Sequence, residues 1–213
     1  MVATDAGGLS STQAVTATVS NVEDGPYALT TGLNQFTGVS GPISFDATTE
    51  NSFQTTDVLR GGSGTDTLTA NINGVSIRPD MQGIENLVLK NITGASTLNM
   101  VDVTGLTSIN VNASTAASTF NNVGTVAALS LTNLTTVNAQ TTTLNYTQAA
   151  LAGANVQTIT LDASTTQTVA LTMAAGTNTL ETVTVNSNSL ANTLTTLNVS
   201  GVAPTTLNIA GTQ

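Results

Sequence analysis

One hydrophobic and polar phrase recurs from residue 84 onward: apolar, two polar, apolar, polar, apolar. It reads IENLVL (84–89), ASTLNM (95–100), LTSINV (106–111), VAALSL (126–131), LTTVNA (134–139) and TTTLNY (141–146). It continues as VQTITL (156–161), TQTVAL (166–171), LETVTV (180–185), LTTLNV (194–199) and PTTLNI (204–209). The fourth positions of the first three copies, Leu87, Leu98 and Ile109, are evenly spaced, and Phe120 extends that step. Later steps are uneven. The ending of each phrase alternates with period two, so Leu87 and Leu89, or Ile109 and Val111, face one side of a strand. A strand this short cannot bury itself. Stacking the strands of successive coils makes a shared interior. Taken in pairs, the early steps predict that one full coil runs from Leu87 to Ile109. The expected fold is therefore all-β, a parallel β-solenoid or β-roll-like stack with irregular loops. A β-sandwich with strands about ten residues apart is the alternative. Asn145 to Ala154 is Ala-rich and reads as one short helical turn.

Composition supports strands over helices. Thr accounts for 44 of 213 residues and Asn for 22, whereas only 7% of the chain is charged. There is no Cys, His or Trp. A Cys or His nucleophile, a Ser-His-Asp triad and a thiolate or imidazole zinc site are thereby excluded. Twelve acids face three bases, Arg60, Arg78 and Lys90, for a net charge of −9. Nucleic-acid binding through phosphates is not expected, and cations such as calcium are favoured partners. No run of 18 apolar residues occurs, so no membrane insertion is expected. The acids are unevenly placed: residues 1–102 carry ten, and residues 103–213 carry only Asp162 and Glu181. The second half therefore has weak electrostatic protection against self-association.

The glycine-aspartate segment GGSGTDTLT (61–69) matches the nonapeptide G-G-x-G-x-D-x-U-x at every fixed position. Gly61, Gly62 and Gly64 permit tight backbone angles, Asp66 offers a carboxylate, and Leu68 points inward. One frame earlier, SFQTTDVLR (52–60) places Asp57 and Leu59 in register with Asp66 and Leu68. Hard oxygen ligands of this kind suit calcium. Asp57, Gly62, Gly64 and Asp66 are thus candidate metal-site residues; a glycine-rich turn that merely opens the first coil is the alternative.

At the N-terminus, Asp5-Ala6-Gly7-Gly8 reads as a turn, Ala14 to Val19 as a strand, and Asn21 to Pro26 as an acidic exit turn. The segment resembles the end of a cadherin-like or Ig-like repeat. That resemblance implies a calcium-chelating linker formed by Asp5, Glu23 and Asp24. A solvated linker without metal is the alternative. The expected organisation is a terminal strand and linker over 1–26, a glycine/aspartate opening region over 27–83, and Thr/Asn-rich solenoid repeats over 84–213. No signal peptide is visible at the N-terminus, and the chain is expected to be a piece of a longer one.

The LTTG…FTG opening (29–38), the LRGGSGTDTL turn (59–68), the GIENL phrase (83–87) and the later strand phrases together resemble bacterial surface-layer proteins of the type I-secreted, calcium-repeat kind. The resemblance implies export without a cleaved N-terminal signal, calcium-dependent folding and lattice assembly at the bacterial cell surface. The expected function is a structural cell-surface protein that self-assembles into an extracellular layer or filament, with calcium as cofactor. The alternative is an adhesin or binding module with a cell-surface polysaccharide as a partner. Catalysis is not expected, because the carboxylate pairs Asp57/Asp66 and Asp80/Glu85 stand in a chain nearly devoid of bases. Arg78 beside Asp80 reads as a loop salt bridge, and paired threonines such as Thr158 and Thr160 read as cross-strand ladders.

Overall fold

The computed structural model describes residues 26–38, 40–135, 140–188, 191–201 and 204–211, together with the backbone of two N-terminal strands. Those two, β1 (Val2–Thr4) and β2 (Ser10–Thr12), pair antiparallel. The region expected as a strand at Ala14 to Val19, and Asp5, Glu23 and Asp24, lie outside the described residues.

The rest of the described chain winds as a parallel β-solenoid. The first face is a nine-stranded sheet. In chain order its strands are β3 (Tyr27–Ala28), β5 (Ser44–Ala47), β7 (Thr67–Ile72), β10 (Asn86–Asn91), β13 (Ser108–Asn112), β15 (Ala128–Thr132), β17 (Val156–Asp162), β19 (Thr182–Asn188) and β21 (Thr206–Gly211). The second face holds β8 (Ser76–Ile77), β11 (Ser96–Asn99), β14 (Ser118–Val123), β16 (Gln140–Tyr146), β18 (Gln167–Met173) and β20 (Leu194–Ser200). A third face is formed by β4 (Gln35–Thr37), β6 (Val58–Arg60), β9 (Asp80–Gln82) and β12 (Val103–Thr104). The third face ends at Thr104, so the stack passes from three faces to two.

Register explains why the phrase recurs. Leu87 lies beside Ile109, and Leu98 beside Phe120 on the other face. Each step from Leu87 to Leu98 to Ile109 is thus half a coil, as expected. One inward column runs the length of the first face: Tyr27, Phe45, Leu68, Leu87, Ile109, Leu129, Ile159, Val185 and Ile209. From Phe45 to Ile159 these side chains are buried. Full burial of each is worth about 1.5–3 kcal/mol, which is how a chain with few aromatics folds. The coils differ in length: the shortest on this face runs from Tyr27 to Phe45, the longest from Leu129 to Ile159. The extra residues go into turns and leave the sheets in register. The longest coil carries the expected helical turn, a 3-10 turn at Ala149–Leu151.

The regular spacing of Asp57-x-Leu59 and Asp66-x-Leu68 has a different meaning from the one its periodicity suggests. Leu59 pairs with Phe36 and Met81 on the third face, whereas Leu68 pairs with Phe45 and Leu87 on the first. One nonapeptide carries the chain around one corner of a single coil. It does not stack one turn upon the next. Residues 27–83 and the later repeats share one hydrophobic interior from Leu29 to Val185.

Candidate functional site

The sequence-predicted metal residues sit at corners of the first coils. Asp66 is fully buried. Its Oδ1 accepts the Ile43 N–H and its Oδ2 the Gly62 N–H, both at 2.7 Å. Asp57 is 1% exposed. Its Oδ1 accepts the Asn34 N–H at 3.0 Å and the Asn34 amide at 2.8 Å, and its Oδ2 accepts the Gln54 N–H at 2.7 Å. The two carboxylates therefore serve separate clusters. Each reaches a main-chain N–H of the preceding coil. Hydrogen bonds to charged groups contribute about 1.5–3 kcal/mol each, and buried N–H groups need such partners.

The same device recurs. Glu85 accepts the Asp66 N–H at 2.7 Å, and Glu181 accepts the Asn155 N–H at 2.7 Å. The carbonyl of Glu85 takes the N–H groups of Thr107 and Ser108, and that of Glu181 takes those of Thr205 and Thr206. The two glutamates hold equivalent places in coils far apart in sequence. Position in the coil, not local sequence, defines this set, so Glu85 and Glu181 escaped a motif search.

The glycines have a related reason. Gly38, Gly61, Gly83 and Gly105 form a corner column in which successive backbones touch. A Cβ on Gly61 would lie 1.6 Å from the Gly83 carbonyl oxygen. Gly64 adopts φ +131, where only glycine is comfortable, and a Cβ there would lie 2.8 Å from Gly41 and Pro42 backbone atoms. Gly62 supplies an N–H to Asp66. Among the described residues no group of three or more acidic side chains gathers at metal-binding distance. Asp80 pairs with Arg60 at 2.7 Å, not with its sequence neighbour Arg78. Arg78 binds Asp102 through two bonds, which hold the Asp102 carboxyl below its ordinary range.

Other corners close with neutral groups. Ser164 Oγ donates to the Leu131 carbonyl at 2.7 Å and accepts the Leu134 N–H. Asn91, Ser96, Ser114 and Ser118 form an equivalent buried network. Between the sheets the buried Tyr146 hydroxyl donates to Gln157 Oε1, and burial pushes the phenol above its ordinary range.

The last described strands of the stack expose positions that are core in earlier coils. On β21, Leu207 is 54% and Ile209 78% exposed, although they continue the columns of the buried Val183 and Val185. Leu194, Leu197 and Val199 on β20 are half-buried. A cavity of about 370 Å³ opens there, lined by Leu161, Val185, Leu194, Leu197, Leu207 and Ile209. Outer backbone edges of β20 and β21 have no partner strand among the described residues. The opposite end is better closed: Leu29 is buried, and Tyr27, Phe36 and Phe45 pack with ring centroids 5.0–6.5 Å apart.

Comparison with protein-family models, with curated proteins and with solved structures found no match. The class of the chain, a parallel β-solenoid, rests on its own register.

Proposed function

We propose that this chain is a structural module of a bacterial extracellular surface assembly, and that it works by self-association rather than by catalysis. The observation that carries the reading is the scarcity of charge on the later coils: residues 103–213 carry only Asp162 and Glu181, which leaves weak electrostatic protection against self-association. The acidic composition and the resemblance to surface-layer proteins support the extracellular setting. Calcium belongs to this proposal through the acidic surplus and the nonapeptide. The carboxylates at Asp57 and Asp66 already hold main-chain N–H groups, so any calcium effect would act on top of folding.

The test is assembly of the purified chain, with calcium and with chelator, followed by light scattering against concentration and by electron microscopy. Ordered layers or filaments are expected. Monodisperse monomers at every concentration, with and without calcium, would overturn the reading.

A further inference from the structure

Asn73-Gly74 is the single Asn-Gly pair in the sequence. In a flexible chain such a pair modifies itself. The main-chain nitrogen of the glycine, unhindered by a side chain, attacks Cγ of the asparagine. A C–N bond forms, the Cγ–Nδ2 bond breaks, and the amide leaves as ammonia with the proton that the main-chain nitrogen gives up. Water then opens the cyclic imide at either carbonyl, to aspartate or to isoaspartate. The net change is an exchange of ammonia for water.

The fold ties up both reacting groups. Gly74 donates its N–H to the Gly94 carbonyl at 3.1 Å. Asn73 Oδ1 accepts the Gly94 N–H at 2.7 Å, and Asn73 Nδ2 donates to Glu50 Oε1 at 2.9 Å. From the preceding coil, Asn51 Oδ1 accepts the Asn73 N–H at 2.8 Å, and Asn51 Nδ2 donates to the Asn73 carbonyl at 3.3 Å. Ring closure would have to break the bonds to Gly94 and Glu50 together. Asn73 is only half-buried and Gly74 is exposed, so hydrogen bonds, not exclusion of water, supply the protection. Slow chemistry at such a place tracks the population of the opened form.

The products fit the corner poorly. Isoaspartate lengthens the main chain by one methylene. Gly94 already packs so closely that a Cβ on it would lie 2.8 Å from Gly74 Cα. Aspartate keeps an acceptor for the Gly94 N–H, but sets a carboxylate against Glu50 where a donor stood.

We propose that Asn73-Gly74 is a latent self-modification site, closed in the folded stack and open whenever this corner opens, whose isoaspartate product keeps the corner from closing again.

The test incubates the whole chain at mildly alkaline pH, in buffer and in concentrated denaturant. Proteolysis and mass spectrometry follow the loss of the Asn73 amide, and methylation by an isoaspartyl methyltransferase identifies isoaspartate. Conversion should be at least roughly tenfold slower in buffer. Chains carrying isoaspartate should refold to a lower melting temperature or not at all. Asn51→Gly is a second arm. Asn51 has φ 56, so glycine removes its side chain without backbone strain. The folded variant should keep its circular dichroism and convert severalfold faster. If it does not fold, the comparison between buffer and denaturant decides alone. Equal rates in buffer and denaturant, or an unchanged rate in folded Asn51→Gly, would overturn the protection. Isoaspartate chains that refold with the unmodified melting curve would overturn the block.

Discussion

The half of the stack before Thr104 and the half after it solve one problem with different chemistry. Both must satisfy main-chain N–H groups where the chain turns from face to face. The first half has three faces, the shorter coils and most of the acids. It closes some corners with Asp57, Asp66 and Glu85 beside a glycine column, and others with the neutral acceptors Asn51, Asn73 and Ser96. The second half has two faces and includes the longest coil, from Leu129 to Ile159. There the neutral side chains of Ser164, Asn192 and Gln148 accept main-chain N–H groups, and the Glu181 carboxylate does so too. A charged acceptor makes stronger hydrogen bonds than a neutral one.

The largest expected effect is at Asp66. Asp66→Ala would leave the Ile43 and Gly62 N–H groups buried without acceptors, at about 1–3 kcal/mol each. Chemical denaturation should show a loss of that summed size, with or without calcium. A loss confined to calcium-containing buffer would mean that the carboxylate serves an ion instead. Ser164→Ala removes one neutral acceptor and one donor, and should lower stability by about 1–3 kcal/mol. If it matches or exceeds Asp66→Ala, the contrast between the halves fails.

Smaller effects are expected at the corner where Ala113, Asn133 and Ala163 have φ of 47, 56 and 50. Left-handed backbone strains a residue with a Cβ by about 1–2 kcal/mol, partly offset by the entropy of glycine. Ala113→Gly and Ala163→Gly should therefore raise the melting temperature slightly, and a fall in either would contradict the corner geometry. The smallest effect concerns pH. The hydroxyl and backbone N–H of Thr48 hold the Asp46 carboxyl below its ordinary value. Its contribution is complete above the unfolded carboxylate range and fades as pH falls through the lowered folded value. Asp46→Asn should flatten the melting curve against pH only on that acid side. A change at neutral pH in the slope would argue against it.

Much of the fold was legible because two of its faces repeat an alternation with enough residues to see. Leu87, Leu98 and Ile109 marked half-coils correctly because sheets must stay in register while turns absorb insertions. The third face was not legible: QFT, VLR, DMQ and VT each place one side chain inward, Phe36, Leu59, Met81 and Val103, and one residue has no period. Phase was also hidden where polar groups are buried. In VQTITL, Val156 is exposed and Gln157 is buried against Tyr146, the reverse of what hydropathy implies. Asp57, Gly62, Gly64 and Asp66, which the glycine-aspartate motif singled out as metal-site candidates, all shape corners. A cation and a cluster of N–H groups demand the same carboxylate oxygens, and only the partners distinguish them.

The central claim is that residues remote in sequence lie a few strand spacings apart along one axis. Thr97 on β11 and Asn198 on β20 share an outward row with Thr119, Thr143 and Ala170 between them. Four spacings of about 4.8 Å separate them. Spin labels at Thr97→Cys and Asn198→Cys, measured by pulsed dipolar spectroscopy, should give a single distance of about 20 Å plus the reach of the labels. A broad distribution, or a distance about twice that, would contradict the stack.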